Sequence, residues 1–426
     1  MGQSWDAGRA GCRQALVKLD AERLRSALEE VNRIGATPAG GAERLAWSDQ
    51  ELQARRWFAE RAGDAGLEVS WDPAGNVWGF GGLKPAIVLG SHLDTVPDGG
   101  RFDGALGVVA ALEVVGHARS ERLPGCERLA VVCFSDEEGV RFGLGMAGSR
   151  AVAGTLQPAE IAAARDSEGV ALSDLLEQHG FDPARVPGAR ANLARMVCYL
   201  ELHVEQGIRL ERLGAPVGVV TAIVGLSDYH IEVTGEANHA GTTAAEDRRD
   251  ALLPVAQVAL AAREVMSSTE GVVATVGEAW VLNGAPNIVP GKAGCILDVR
   301  AASAAAIEAA ADAILDAGRA AAEATGCEFE ARPTKRLPPA PMDEEVVAAL
   351  VAAADDLGLE APQLVSRAGH DAMSLAPAGV PCGMLFVASQ GGISHSPLER
   401  SSERDCVLGA EVLGAAALDL AQRHAG

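Results

Sequence analysis

The sequence between residues 86 and 114 gathers three side chains that could do chemistry. An apolar run at residues 86–90 has the length of a buried strand, and His92 and Asp94 follow it directly. A turn rich in proline and glycine leads to Asp103, and a small apolar stretch typical of a helix comes next. Open α/β sheets place their chemistry at the carboxyl ends of strands. The spacing lets His92 and Asp103 meet at one point, with Asp94 available to orient the imidazole.

Two further apolar runs end in side chains that could bind a metal ion. Residues 128–134 lead to Glu137 and Glu138, and residues 196–202 lead to His203. Adjacent carboxylates repel each other unless solvent or a cation neutralises them, so an exposed turn is the plain alternative for this pair. Three strands that deliver His, Asp and Glu to one sheet edge favour a metal site over coincidence.

The C-terminal part of the chain adds two histidines, His370 and His395. Carboxylates combined with imidazoles suit Zn²⁺ or Mn²⁺, and Co²⁺ or Ni²⁺ are also compatible. Five ligands with one shared carboxylate would hold two ions, which would activate water and polarise a carbonyl. One carboxylate must then stay free as the general base. These residue types predict a metal-dependent hydrolase of amides or ureides.

The length and the order of elements predict an α/β protein of two domains. We expect residues 1–214 and 331–426 to form the metal-binding catalytic domain around a mixed sheet. Residues 215–330 are expected to be an inserted α+β domain, with an antiparallel sheet and two helices on one face. In that domain we predict paired strands at residues 216–224 and 229–234. Four prolines between residues 332 and 341 predict a linker back to the first domain.

Composition and charge exclude some classes of binding partner and indicate the compartment. The net charge of −22 argues against nucleic acid or an anionic membrane surface. The chain has no transmembrane run of about twenty apolar residues, and residues 1–14 lack the apolar core of a signal peptide. The eight cysteines, Cys12 among them, form no C-x-x-C pair, which favours reduced thiols over disulfides. We therefore expect a cytoplasmic protein.

Eight sequence motifs, taken in order, resemble the hydantoinase/carbamoylase family of amidases, part of a larger group of dinuclear metallopeptidases and aminoacylases. The motifs are HLDTV, the FDG that carries Asp103, SDEEGVRF, ELHVEQG, NHAGTT with RRDAL, PNIVPG, GHDA and GISHSPLE. The resemblance covers nearly the whole chain, from about residue 24 to residue 402. Each motif alone is only moderately specific, but the occurrence of all eight in this order is strong evidence of the resemblance.

The resemblance implies a site for two divalent metal ions. One ion would be held by His92, Asp103 and His203, and the other by Asp103, Glu138 and His395, with Asp103 as the bridge. The resemblance also implies that the enzyme is a homodimer, in which the inserted domain acts as a lid and makes the subunit contact.

The resemblance further implies roles in catalysis. Glu137 would be the general base, and Asp94 would support His92. His239 would stabilise the oxyanion in the active site of the partner subunit. The residues that match substrate contacts are Gln206, Asn287, Arg300 and His370. Arg300 would grip a carboxylate, because a guanidinium matches a carboxylate with two parallel hydrogen bonds.

Several of these residues also have plainer alternatives. His239 lies in a turn rich in Gly and Asn, where an exposed loop histidine is common. Asn287 could simply satisfy a turn before Pro290. Arg300 follows Asp298 by two positions, so the two side chains share a strand face and could form a surface ion pair.

The chain departs from the family pattern at three places. Ala244 and Ala245 stand where Pro-Met is usual, and Ala388 precedes Ser389 where the family has Pro-Ser. Arg367 replaces the glycine of a Ser-Gly-Ala sequence before GHDA. None of these positions is an expected metal ligand, so the departures concern substrate range, Arg367 above all.

The implied activity is hydrolysis of the C–N bond of a ureido (N-carbamoyl) group beside a carboxylate. An N-carbamoyl-L-amino acid is the main expectation, with an amino acid, ammonia and carbon dioxide as products. Allantoate or ureidoglycolate hydrolysis in purine catabolism is the alternative. N-acyl aminoacylase or peptidase activity is less favoured, because HVEQG and GISHSP fit the carbamoylase branch better. An inactive metal-binding scaffold is disfavoured by Glu137 and His239.

Overall fold

The structure is a computed structural model that describes residues 17–424. Residues 1–14, where no signal peptide is expected, lie outside these residues, and so does Cys12 within them. The chain divides into two compact units. Among the described residues, the first unit holds 17–221, 342–364 and 370–424, and the second holds 222–341 and 365–369.

The described residues form twelve α-helices and five 3-10 helices. The α-helices are α1 (Ala21–Arg33), α2 (Asp49–Asp64), α3 (Ala105–Ser120), α4 (Ala147–Ala153), α5 (Pro158–Ala163), α6 (Leu172–Gln178), α7 (Arg209–Leu213), α8 (Leu252–Ser268), α9 (Ala304–Ala324), α10 (Glu344–Asp356), α11 (Asp371–Leu375) and α12 (Glu403–Arg423). The 3-10 helices are Cys126–Arg128, Pro183–Arg195, Ala245–Asp247, Ala376–Ala378 and Gln390–Gly392.

Fifteen strands complete the described part of the chain. They are β1 (Glu68–Trp71), β2 (Val77–Phe80), β3 (Ala86–His92), β4 (Leu129–Phe134), β5 (Met196–Val204), β6 (Val217–Ile223), β7 (Gly225–Thr234), β8 (Asn238–His239), β9 (Val273–Val281), β10 (Ile288–Val289), β11 (Lys292–Ala301), β12 (Glu328–Leu337), β13 (Ala340–Pro341), β14 (Gln363–Ser366) and β15 (Cys382–Val387).

A large mixed sheet organises the first unit. Its strand order is β1-β2-β4-β3-β5-β15-β6, and the short strands β13 and β14 also pair with β6. The four central strands β4, β3, β5 and β15 are parallel to one another, whereas β2 and β6 join the sheet antiparallel. All residues of β3 and β4 are buried, because α3 and α12 pack apolar side chains against the sheet. The predicted mixed sheet is confirmed.

The second unit contains a separate antiparallel sheet in the order β12-β7-β11-β9. Burial alternates along β7, where Ile231 and Val233 are covered and Asp228 and His230 lie on the open face. The covered side chains pack with residues of α8 and α9 such as Val258 and Ile314. One face of this sheet is therefore covered by helices, and the other face carries its polar side chains.

Two predictions about individual strands are wrong. The segment predicted at residues 216–224 does not pair with the next strand; as β6 it pairs with β15 in the large sheet. Nearly every residue of β6 is buried, which suits an interior strand. The predicted linker at residues 332–341 lies largely in β12, which pairs with β7 only. An edge strand tolerates proline, and Pro333 sits at a register shift in that pairing.

The other features of the described residues concern thiols and membrane spans. The seven described cysteines are free thiols, most of them buried. Between residues 17 and 424, no helix combines the length and the apolar character that a membrane crossing needs.

Candidate metal centre

Parallel strands of the first unit bring the candidate ligands to one sheet edge. His92 is the last residue of β3, and it lies beside Phe134, the last residue of β4. Glu137 and Glu138 follow β4 within four residues. His203 lies inside β5, since this strand continues to Val204 and does not end at residue 202 as predicted.

Asp103 lies between two groups of candidate ligands. Its Oδ1 is 3.2 Å from His203 Nε2 and 3.6 Å from His92 Nε2. Its Oδ2 faces the other way, at 3.4 Å from His395 Nε2. His395 Nε2 is in turn 3.5 Å from Glu138 Oε2. Each group keeps its ligand atoms within 4.8 Å of one another, so either could surround one cation.

Hydrogen bonds fix the two buried imidazoles with their Nε2 atoms toward Asp103. Nδ1 of His92 lies 3.0 Å from the backbone oxygen of Asp94, and Nδ1 of His203 lies 3.0 Å from that of Val204. A carbonyl only accepts, so Nδ1 carries the proton and donates in both rings. In the neutral ring Nε2 then carries the lone pair and faces Asp103, and this is the form that binds a metal ion.

Asp94 supports the site by a route that the sequence did not indicate. Its backbone oxygen, and not its carboxylate, accepts the hydrogen bond from His92. The buried carboxylate instead accepts from the backbone N–H of Glu137 at 3.1 Å and of Glu138 at 3.0 Å. Asp94 therefore joins the β3 end to the turn that carries the two glutamates.

That turn is also held from behind by a buried amide. Asn76 accepts a hydrogen bond from the backbone N–H of Ser135 at 3.0 Å and donates to the backbone oxygen of Gly148 at 3.1 Å. The turn includes Asp136, which is buried with a positive φ of 51°. A backbone in this strained region persists only where its surroundings fix it, so the position of the glutamates is imposed by their neighbours.

Two buried glutamates that sequence reasoning missed also position the site. Glu399 accepts hydrogen bonds from the backbone N–H groups of Phe102 and Asp103, at 2.7 and 3.0 Å. Ser394 Oγ lies within hydrogen-bond distance of both Asp103 and Glu399, and its single proton is donated to one of them at a time. Glu201, fully buried, accepts from Ser91 Oγ at 2.9 Å. The available signals were a glutamate inside the GISHSPLE motif and a carboxylate within an otherwise apolar strand.

A glycine is required immediately after Asp103. Gly104 has a positive φ of 63°, and a Cβ there would lie 2.5 Å from Cε1 of His92. Any side chain would therefore push the imidazole away from Asp103. This close approach explains the glycine of the FDG motif in physical terms.

The buried carboxylates of the site favour the binding of cations. Burial and the neighbouring Glu138 raise the pKa of Glu137 well above its usual range. Burial and Asp103 raise the pKa of Glu138 to about 8. Within the described residues, both buried carboxylate oxygens of Asp136 lack a hydrogen-bond partner. So much buried negative charge is costly unless protons or metal ions neutralise it, and the mixed oxygen and imidazole donors fit divalent ions.

We expect protein freed of metal by a chelator to lose thermal stability as the pH rises from about 5 to about 8. The folded-state pKa of Glu138 and that of Asp136 are raised to about 8, mainly by burial. In this window the folded state binds more protons than the unfolded state, so each rise in pH favours unfolding. The pKa of Asp103 is lowered, so its ionisation has the opposite effect on stability, but only below about pH 4.

His203 and His395 act in the same direction toward higher pH, whereas His370, whose pKa is lowered, opposes them below about pH 6.5. The hydrogen bond with Asp103 raises the pKa of His395 to about 9, and the same carboxylate raises that of His203 to about 9 against the opposing effect of burial. The measurement is Tm in EDTA between pH 5 and 8, with Mn²⁺ or Zn²⁺ added back as the control. Bound metal replaces the protons and should flatten the profile. A Tm in EDTA that is constant or rises over this range would contradict the prediction.

Two of the expected substrate contacts also lie at this centre. Nε2 of Gln206 donates to Asp103 Oδ2 at 2.7 Å, and Gln206 has a positive φ of 56°. His370 is buried, with its ring centroid 4.5 Å from that of His203. Burial and the nearby positive charge of His203 lower the pKa of His370 well below its usual range. A neutral imidazole is therefore the stable form there.

The second unit holds the three remaining residues. His239 and Asn287 come together, because β8 pairs with β10 and Ala240 N–H donates to the Asn287 backbone oxygen at 2.9 Å. Nδ1 of His239 accepts from the backbone N–H of Gly241 and Thr242, at 3.0 and 3.2 Å. The ring proton then lies on Nε2, which leaves an exposed donor.

Arg300 lies on the open face of the second unit's sheet. Its Nε donates to both carboxylate oxygens of Asp298, at 2.9 and 3.2 Å. The ion pair considered from the sequence is therefore present. It occupies Nε and leaves the terminal nitrogens of the guanidinium for another partner.

Comparison with known proteins agrees with the motifs. Residues 88–419 match the profile of peptidase family M20/M25/M40. An N-carbamoyl-L-amino acid amidohydrolase of Geobacillus stearothermophilus is 40% identical over 408 residues, which cover 95% of this chain and 99% of that protein. An allantoate amidohydrolase of Escherichia coli strain K12 is 32% identical over 399 residues, covering 92% and 96%.

Solved structures give the same result. A crystal structure of a hydantoinase/carbamoylase family amidase from Burkholderia ambifaria superposes with a TM-score of 0.85 at 35% identity, covering 96% of this chain and 99% of that one. The chain belongs to peptidase family M20/M25/M40, and within it to the amidases of the hydantoinase/carbamoylase family. The family predicted from the motifs is confirmed.

Proposed function

We propose that this chain is an N-carbamoyl-L-amino acid amidohydrolase that releases an amino acid, ammonia and carbon dioxide. The observation that carries the proposal is the 40% identity, over nearly the full length of both chains, to a protein of that name. The arrangement of His, Asp and Glu side chains around Asp103 supports it, since hydrolysis of a ureido group needs an activated water and a polarised carbonyl.

Two divalent ions are proposed for the centre, with Zn²⁺ or Mn²⁺ favoured and Co²⁺ or Ni²⁺ compatible. His92, Asp103 and His203 would hold one ion, and Asp103, Glu138 and His395 the other. The support is the orientation of Asp103, whose two carboxylate oxygens face the two groups separately. Bound ions would supply Lewis acidity toward the ureido carbonyl and toward water.

Glu137 is proposed as the general base. Its side chain is 10% exposed, and its Oε2 lies 3.7 Å from His92 Nε2, so it borders the centre. It would take a proton from the attacking water and pass it to the leaving nitrogen. A raised pKa suits this second step, because the protonated carboxyl can then act as an acid near neutral pH.

The remaining residues are proposed to bind the substrate and the tetrahedral oxyanion. His239 would donate from Nε2 to the oxyanion in the partner subunit, consistent with its Nδ1 being an acceptor. Arg300 would hold the carboxylate of the substrate through its terminal nitrogens. The other proposed contacts are Gln206, Asn287 and His370.

The second unit is proposed to act as a lid and as the dimerisation domain of a homodimer. It corresponds to most of the insertion expected at residues 215–330 and has its own core between a sheet and two helices. A cytoplasmic location is proposed as well, supported by the seven free thiols.

Allantoate amidohydrolase is the second candidate function, supported by the 32% identity to the Escherichia coli protein. We would measure ammonia and amino-acid release with Mn²⁺, Zn²⁺, Co²⁺ and Ni²⁺. The substrates are N-carbamoyl-L- and D-amino acids, N-carbamoyl-β-alanine, allantoate, ureidoglycolate, and N-acetyl and N-formyl amino acids. The proposal predicts turnover of N-carbamoyl-L-amino acids above all others. A preference for allantoate would select the alternative, and activity on acyl compounds alone would overturn the ureido assignment.

A further inference from the structure

The open face of the second unit's sheet carries a cleft of about 600 Å³. Its charged and hydroxyl-bearing lining residues are Asp228, Thr275, Glu278, Asp298, Arg300 and Arg367. Pockets of this size commonly hold small ligands, and a few charged groups in them fix orientation. The two guanidinium groups are the features that an anionic ligand would recognise.

Arg300 is held rigidly within this cleft. The bifurcated hydrogen bond from Nε to the two carboxylate oxygens of Asp298 orients the guanidinium, while 41% of the side chain remains exposed. Its two terminal nitrogens are free to bind a carboxylate in a bidentate manner. Because the group is already oriented, binding costs less conformational entropy than it would for a mobile arginine.

Asp298 is in turn backed by a second carboxyl group. Asp228 lies directly opposite Asp298 in the register between β7 and β11. Asp228 Oδ1 is a buried atom to which no donor in the described chain points. Burial and the neighbouring Asp298 raise the pKa of Asp228. On its other side, Asp298 pairs with Arg300.

Arg367 supplies the second guanidinium of the cleft. It is exposed, and among residues 17–424 it forms no ion pair. Glu278, the remaining carboxylate of the lining, is also exposed to solvent. The family pattern has a small residue where this chain has Arg367, so this chain adds a cation beside the site of Arg300.

We propose that Arg300 and Arg367 bind the two carboxylates of one substrate, so that the preferred substrates are ureido diacids, the N-carbamoyl derivatives of acidic amino acids. This inference rests on the proposed function and narrows it to a class of side chain. Arg300 takes the carboxylate next to the ureido group, and Arg367 takes the one at the end of the side chain. A neutral side chain of equal size leaves Arg367 without a partner, and selectivity comes from that difference.

The test compares N-carbamoyl-L-glutamate with N-carbamoyl-L-glutamine, which has the same shape and lacks the second charge. The wild type should favour the glutamate compound by about tenfold or more in kcat/KM. Arg367→Gln should remove most of this preference, and Arg367→Lys should retain part of it, since an ammonium keeps the charge without the fork. The preference should also weaken as ionic strength rises.

The control variant is Arg319→Gln on α9. It removes one exposed positive charge of the same unit, but one that pairs with Asp316 on the helix and does not line the cleft. The ratio of its kcat/KM values for the two substrates should match that of the wild type. The inference is overturned if the wild type prefers the glutamine compound. It is also overturned if Arg367→Gln lowers kcat/KM for both substrates by the same factor.

Different results would overturn the proposed function and this inference. Turnover of neutral N-carbamoyl-L-amino acids without any preference for the diacids would leave the proposed function standing and overturn the inference. Failure to hydrolyse any N-carbamoyl compound, with metal bound and Tm unchanged, would overturn the proposed function itself and the inference with it.

Discussion

Replacing Glu137 with glutamine is expected to abolish turnover while leaving the metal content unchanged. Glutamine keeps the size of the side chain, and the backbone N–H at this position stays hydrogen-bonded to the Asp94 carboxylate. Only the ability to take and return a proton is lost, and general acid–base catalysis typically contributes about 10²–10⁴-fold to the rate. We therefore expect kcat to fall by at least about 100-fold. Ammonia release under saturating substrate gives kcat, and elemental analysis gives metal per chain.

The matched control is the adjacent Glu138→Gln. This change alters a proposed ligand, because Glu138 Oε2 faces His395 Nε2 at 3.5 Å. It should lower the metal content as well as the rate, whereas Glu137→Gln should lower only the rate. Turnover by Glu137→Gln at the wild-type rate would refute its assignment as general base. Loss of metal from that variant would instead make Glu137 a ligand.

Replacing Asp103 with asparagine is expected to have the second large effect, which is loss of at least one of the two proposed metal ions. Asparagine offers one carbonyl oxygen and one NH₂ group, so it cannot present an oxygen to both groups of ligands at once. In the wild type, Oδ1 faces His203 and Oδ2 faces His395. We expect the proposed two ions per chain to fall to one or fewer, and activity to fall to background. Dialysis against metal-free buffer followed by elemental analysis measures the stoichiometry.

Ser394→Ala provides the comparison for Asp103→Asn. Ser394 Oγ lies 3.0 Å from Asp103 Oδ2 and 2.8 Å from Glu399 Oε2, so its removal disturbs the orientation of Asp103 without removing a carboxylate. Its loss should weaken metal affinity by roughly 10–100-fold, as is typical for residues that orient a ligand. If Asp103→Asn kept two ions through dialysis, the bridging role would be wrong.

Much of the fold follows from local sequence patterns. The apolar runs of β3, β4 and β5 were predictable, because strands covered on both faces need uninterrupted apolar side chains. The pairing of β6 was not predictable in this way. Its neighbour in the sheet is β15, which begins more than 150 residues later in the chain, and only the packed sheet selects that partner. For the same reason β12 was mistaken for a linker, since prolines are tolerated at an edge that only the sheet defines.

Residue types, their order and the motifs by themselves determined the family and the candidate residues of the site, His92, Asp103, Glu138, His203 and His395. Tertiary structure decided how those residues are held. Glu399 reaches the backbone N–H of Asp103 across 296 residues, and no local pattern marks that contact. The role of Asp94 also changed, because its carboxylate serves the glutamate turn and its backbone oxygen serves His92.

The cleft of the second unit shows the same division. From the sequence, Arg300 was an expected contact to the substrate carboxylate that could instead pair with Asp298, and Arg367 was a departure from a motif. The register between β7 and β11 adds Asp228 to that pair, and folding brings the segment that carries Arg367 to the same cleft. The sequence determined which charged groups the protein has. Only the tertiary structure decided which of them neutralise one another and which is left for a ligand, because the interaction of two charges depends on their separation and burial.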